Sequence, residues 1–162
     1  FSYGGHAALK LMNDLEFGDK RKWAGIVSLE PPCNIFHEPR NFITPILVLK
    51  GGESHYEPKP CKTMIDLYAS AGADASLKIF PKSNHFFSHN GKIVKGVAFN
   101  GCGDNPVVIG ITNSLKFLDG SQANPKIVRK KCFTKTAGSG KSREDLKLAI
   151  NASIEFFKSK LN

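Results

Sequence analysis

No stretch of the 162-residue chain approaches the roughly 20 consecutive apolar residues of a membrane-spanning helix. Phe1 to Lys10 lacks a basic head followed by an apolar run, so no membrane span is expected and any export signal is expected to be gone or never included. Metal-ligand spacing is missing too. Cys33, Cys61, Cys102 and Cys132 lie far apart, with no CxxC pair and no neighbouring pair of histidines, which argues against a metal site. Acidic residues are the scarcer charge, 14 against 23 basic, for a net charge of +9. Yet no segment alternates aromatic with basic residues as a single-strand platform does, and Lys126, Arg129, Lys130 and Lys131 form a short cluster. A solvated basic surface accounts for this charge, and no nucleic-acid partner is expected. Gly138-Ser139-Gly140-Lys141-Ser142 imitates the end of a phosphate loop, but the full pattern needs glycine at position 135, which is Lys135. Nucleotide binding is excluded on that ground, no cofactor is expected, and there is no internal repeat.

What is present is a balanced composition, 41% hydrophobic and 23% charged, which excludes a disordered chain. A chain of this size can bury roughly 70% of its unfolded surface, so residues 1–162 are expected to form a single domain. Four cysteines so dispersed favour two disulfides and an oxidising compartment, which points to a periplasmic or secreted protein.

Apolar residues at Ala8, Leu11, Met12 and Leu15 predict a helix from Tyr3 to Leu15. Trp23 to Leu29 and Pro45 to Leu49 are short, branched-rich runs closed by Pro or Gly, the pattern of buried parallel strands. A helix over Pro58 to Gly72 and a strand over Ser76 to Phe80 follow. Ser142 with Asp145 resembles a capping box, and Leu146, Ile150, Ile154, Phe157 and Leu161 predict an amphipathic C-terminal helix. Asn151-Ala152-Ser153 has the glycosylation pattern but lies inside that helix. Strands alternating with helices predict an α/β fold with a parallel sheet flanked by helices. Three strands are few for such a sheet, so the chain reads as the second half of a larger one. Residues 88–140, rich in Gly, Asn, Ser and Lys, are expected to be an irregular insertion within the domain, stapled by a disulfide of its own.

Phe1-Ser2-Tyr3-Gly4-Gly5-His6 stands immediately before a predicted helix, as a nucleophile elbow lacking its first glycine would. Small residues let such a turn close, the serine hydroxyl projects above the sheet, and the N–H of Tyr3 is set for an oxyanion hole at the positive end of the helix. A serine nucleophile needs a base and an orienting carboxylate, each in a loop after a strand. One loop runs Lys50-Gly51-Gly52-Glu53-Ser54-His55-Tyr56-Glu57-Pro58, and the other Pro81-Lys82-Ser83-Asn84-His85-Phe86-Phe87. The order is Ser2, Glu53, His85. His55 and His89 read as exposed histidines.

FSYGGHAAL at the elbow, EPPC after the next strand, LVLKGGE with KPC, and FPKSNHFF keep the order and spacing of one family. The chain resembles α/β-hydrolases of the dienelactone hydrolase group, from Phe1 to about His89 and again in the C-terminal helix. The resemblance implies the C-terminal half of an α/β-hydrolase fold with Ser2 as nucleophile and His85 as base. It also implies that the N-terminal half, strands one to five with the other oxyanion donor, precedes Phe1 or comes from a separate chain. The family proper carries cysteine at the elbow, so Ser2 points to the serine-esterase branch. Its acid is usually Asp in a G-x-x-D loop. An ungapped match from Gly51 sets Ser54 at that place, whereas a one-residue deletion sets Glu53 there; Glu53 is preferred because it supplies a carboxylate, with Glu57 the alternative. Loops placed on one edge of the sheet, together with the family's cysteines in PPC and KPC, imply pairing of Cys33 with Cys61, leaving Cys102 for Cys132. The expected function is hydrolysis of a small-molecule carboxylic ester or related acyl bond by a Ser2–His85–Glu53 triad through an acyl-enzyme. The alternative is a catalytically silent hydrolase-fold module for binding or scaffolding.

Overall fold

The computed structural model describes residues 1–12, 23–85, 94–98, 102–139 and 143–161. In chain order the elements are α1 (Tyr3–Lys10), β1 (Ile26–Leu29), β2 (Ile35–His37), β3 (Ile46–Gly51), α2 (Pro58–Ser70) and β4 (Ala75–Phe80). They continue with β5 (Val94–Ala98), β6 (Val107–Ile109), β7 (Leu115–Phe117), α3 (Pro125–Cys132), β8 (Thr134–Ser139) and α4 (Arg143–Leu161). No described helix is long and apolar enough to cross a membrane.

The three strands expected from apolar runs form one parallel sheet in the order β1-β3-β4, with Ile26 opposite Ile46 and Leu47 opposite Ser76. Its centre is β3, buried along its whole length because both faces are covered. Alternation along β3 then sorts its side chains. Ile46 and Val48 join Leu9, Met12, Met64, Ile65 and Tyr68 beneath α1 and α2, while Leu47 and Leu49 join Phe80 and Ala149 beneath α4. The result is a layered helix–sheet–helix arrangement. Tyr68 anchors the first core, with both Phe36 and Phe42 edge-on to it and its hydroxyl donating to the carbonyl of His37 at 3.2 Å. Burying a side chain of this size contributes roughly 1.5–3 kcal/mol.

Gly5 marks how closely α1 lies on β1. A Cβ there would stand 2.7 Å from Ser28 Oγ and 2.9 Å from the carbonyl oxygen of Leu29, so only glycine lets the helix settle at that distance.

The C-terminal helix corrects the expected stripe. Ile150, Ile154 and Leu161 are exposed, and the face on the sheet is Ala149, Ala152 and Phe156. Two alanines let the helix approach closely, and Phe156 packs where Gly25 leaves room. Small residues weigh little in an apolar pattern, so the bulkier residues on the neighbouring faces dominated it. Asp145 accepts a hydrogen bond from Ser83 at 2.5 Å, while Ser142, Leu15, Phe86, Phe87 and His89 lie outside the described residues.

The stretch 88–140 is more ordered than its composition suggested. The short strand β2 pairs in parallel with β6, and β6 pairs antiparallel with β7, giving a second, mixed sheet; β5 and β8 form an antiparallel pair. Val107, Phe117, Ala123, Val128 and Cys132 make its core, and Asn124 caps α3 by accepting from the N–H of Ile127 at 3.0 Å. β6 and β7, at three residues each, are too short to leave a periodic trace, which is why the composition concealed them. Cys33–Cys61 and Cys102–Cys132 both form disulfides.

Candidate active site

The C-terminal ends of all three parallel strands meet at one edge of the sheet, the edge where α/β folds gather their chemistry. Beyond β1 comes Glu30, beyond β3 the segment from Gly52 to Tyr56, and beyond β4 the loop that ends in His85. Ser2 stands before α1 on the same edge, its N–H donating to the carbonyl of Leu29 at 2.8 Å. Its backbone, at φ 54° and ψ −127°, lies where side chains other than glycine are strained. That conformation is the one a sharp turn into a helix imposes on a residue whose side chain must project outward.

The side chains line up in sequence. Ser2 Oγ is 3.0 Å from His85 Nε2, and His85 Nδ1 is 3.1 Å from Glu30 Oε2. These contacts assign Nδ1 as the protonated nitrogen donating to the carboxylate, leaving Nε2 to accept from the serine hydroxyl. His85 is 1% exposed and Glu30 fully buried. Ser2 and His85 are therefore brought together, but the carboxylate on the imidazole is that of Glu30. Glu53 is exposed; its backbone N–H donates to the carbonyl of Ser83 at 2.8 Å and so bridges the loops after β3 and β4. Glu57 occupies the N-cap of α2. The reason is geometric. Glu30 leaves the end of β1 beside the end of β3, with φ 53°, and its carboxylate meets the imidazole, whereas Glu53 is exposed in the loop after β3.

Glu30 gathers a dense set of donors. Oε2 receives Ser54 Oγ at 2.7 Å and Lys50 Nζ at 3.0 Å besides the histidine, and Oε1 receives the N–H of Gly51. Burial alone would raise the Glu30 pKa. The Lys50 charge and the bonds from His85, Ser54 and Gly51 outweigh it, and the carboxyl is held below its ordinary range. Burial likewise lowers the His85 pKa, against the opposing pull of Glu30, so the imidazole favours its neutral, proton-accepting form. Gly51 makes the convergence possible: a Cβ there would lie 2.6 Å from the carbonyl oxygen of Ser83 and 2.9 Å from Glu30 Oε1. The histidine loop is pinned from α4 as well, through Ser83 Oγ and Asp145.

Around this line stands an aromatic wall. The Tyr56 ring meets the His85 ring edge-on at 4.5 Å, its N–H donates to Ser54 Oγ at 3.1 Å, and its hydroxyl interacts with the side chains of Ser2 and Tyr3. Burial, Tyr3 and Glu30 together keep that phenol protonated well above neutral pH. His55, expected at the surface, is 8% exposed, its ring 4.4 Å from that of His85. Tyr3 opens α1, the position from which its N–H belongs to the unpaired first turn.

Glu30, Lys50 and Tyr56 escaped sequence reasoning as site residues, and Ser54, which the ungapped match sets at the acid's place, donates to Glu30 instead. A signal for Glu30 existed: it is the first residue after an apolar strand, inside the EPPC run, followed by two prolines and a bridged cysteine that stiffen its segment. Lys50 left none, since a lysine closing a hydrophobic strand reads as a charge reaching for solvent. The chain matches no family model, no curated protein and no solved structure.

Proposed function

We propose that this chain is the C-terminal half of an α/β-hydrolase, a serine-nucleophile relative of the dienelactone hydrolases that cleaves small carboxylic esters or related acyl bonds. The observation that carries the reading is the unbroken line Ser2 Oγ–His85 Nε2, His85 Nδ1–Glu30 Oε2 at 3.0 and 3.1 Å, with its serine in a strained turn at the head of a helix. In this reading Ser2 attacks the acyl carbonyl as Nε2 takes its proton, and Glu30 stabilises the imidazolium that forms. The proton passes to the departing alcohol, and a water activated by the same Nε2 releases the acid from the acyl-enzyme. The N–H of Tyr3 and the phenol of Tyr56 flank Ser2 and serve the developing oxyanion. The two disulfides support a periplasmic or secreted setting. Among the described residues β1 pairs only with β3, so its other edge is open to a strand of the N-terminal half, supplied by the same polypeptide or a separate chain.

A fluorophosphonate probe tests the reading directly. The full-length protein is expected to be labelled at Ser2, with labelling lost in Ser2→Ala and strongly slowed in His85→Ala. Absence of labelling in folded full-length protein overturns the reading and leaves a silent module. A second expectation concerns Tyr56. Tyr56→Phe keeps the ring against His85 and removes only the hydroxyl, so kcat is expected to fall roughly 10²-fold with KM little changed, the range for loss of one oxyanion donor. Steady-state kinetics on a nitrophenyl ester read this out, and an unchanged kcat removes Tyr56 from the mechanism.

A further inference from the structure

Lys50 is a charged side chain of the site that the acyl-transfer reading gives no part. It is fully buried, and its ammonium is enclosed by three groups. Nζ lies 3.0 Å from Glu30 Oε2 and 3.1 Å from the carbonyl oxygen of Pro31, with the Tyr56 ring face 5.3 Å away. Two oxygen acceptors and an aromatic face are the surroundings of a cation, and without one the buried Glu30 carboxylate would have no compensating charge. Lys50 also contacts the same carboxylate oxygen as His85 Nδ1 does. It therefore competes with the imidazole for that charge.

We propose that Lys50 is a positioning residue for this reaction: its ammonium neutralises Glu30 from behind, so that Glu30 orients His85 without drawing a proton onto it, and the base stays ready in mildly acidic surroundings.

The charge arithmetic carries the sign. With Lys50 present, the buried hub of Lys50, Glu30 and neutral His85 sums to zero, and adding a proton makes it +1. Without Lys50 the hub starts at −1 and a proton makes it neutral. In a water-poor site the second protonation is much the easier, whichever of His85 and Glu30 takes the proton. The other ionisable groups facing His85 do not alter this comparison, because they are common to both cases: the ring of His55 and the phenol of Tyr56. Consistent with this, the Lys50 charge is among the influences that lower the His85 pKa, after burial.

The inference rests on the hydrolase reading for its kinetic test but not for its spectroscopic one. In Lys50→Met the acidic limb of the kcat/KM profile is expected to move upward by roughly one to three pH units, the range for a charge lost at this distance. Independently of turnover, the ¹⁵N-resolved titration of His85 is followed by NMR in a Ser2→Ala background. It is expected to shift upward with Lys50→Met by a similar amount. Should Lys50→Met fail to fold because Glu30 is left unpaired, Glu30→Gln/Lys50→Met is compared with Glu30→Gln, where the hub goes from 0 to +1 against +1 to +2. The upward shift is expected there as well. A His85 titration that moves by less than about 0.3 units in whichever comparison folds overturns the role of Lys50. Failure of Ser2 labelling with a Lys50-dependent titration intact would instead overturn the esterase reading alone.

Discussion

Glu30→Gln is expected to lower kcat by about 10⁴-fold with KM little changed, the loss seen when a triad carboxylate becomes an amide. The amide offers a donor where the Nδ1–H needs an acceptor, so the imidazole turns to the other tautomer and Nε2 no longer accepts from Ser2. Glu53→Gln is expected to stay within a few-fold of wild type, because Glu53 is exposed and the carboxylate on His85 is that of Glu30. Glu30→Gln also leaves Lys50 as an unpaired buried charge, a change that costs about 3–5 kcal/mol of stability. The activity comparison therefore belongs with Glu30→Gln/Lys50→Met, in which both charges are removed and most of that stability returns. Kinetics of the four proteins separate the possibilities. A dead Glu53→Gln beside an active Glu30→Gln would restore the acid expected from the G-x-x-D loop.

Removing the Cys33–Cys61 disulfide is expected to lower stability about as much as removing Cys102–Cys132, whose sequence separation is 30. The Cys33–Cys61 bond closes a sequence separation of 28 residues, and the chain-entropy relation assigns such a loop about 3–4 kcal/mol. For a chain of this length that corresponds to a fall in Tm of roughly 10 °C. The bridge also has a local consequence. Cys33 follows Glu30, Pro31 and Pro32, and Cys61 lies in the first turn of α2, so the bond ties the acid-bearing segment to the helix packed on the sheet. The carbonyl of Pro31, which accepts from Lys50 Nζ, belongs to that same segment. Cys33→Ala/Cys61→Ala is thus expected to lose activity at temperatures well below its own melting point, whereas Cys102→Ala/Cys132→Ala, remote from Glu30, should lose stability with activity retained up to melting. Calorimetry together with initial rates over a temperature series distinguishes the two. Equal loss of activity in both pairs would remove the link between the first bridge and the acid.

The parallel strands and the helices between them are legible in local chemistry: apolar runs bounded by Pro and Gly read as buried strands, and apolar residues at helical spacing read as helices. The two disulfide pairings and the approach of His85 to Ser2 are long-range and rest on the family resemblance. Which carboxylate reaches His85 is set by the packing of the sheet. Glu30 and Glu53 both follow a strand, and both offer an acid at a loop where the fold gathers its site. Choosing between them depends on how β1 and β3 stand side by side. That arrangement carries Glu30 inward onto His85, Ser54 and Lys50, and leaves Glu53 outward in solvent. The same holds for Lys50, whose neighbours come from a segment 20 residues earlier in the chain. It holds for α4 too, where two alanines meet the sheet and the larger apolar residues do not. In each case the deciding quantity is a distance between residues far apart in sequence, and packing against the opposite layer sets that distance, which no local pattern encodes.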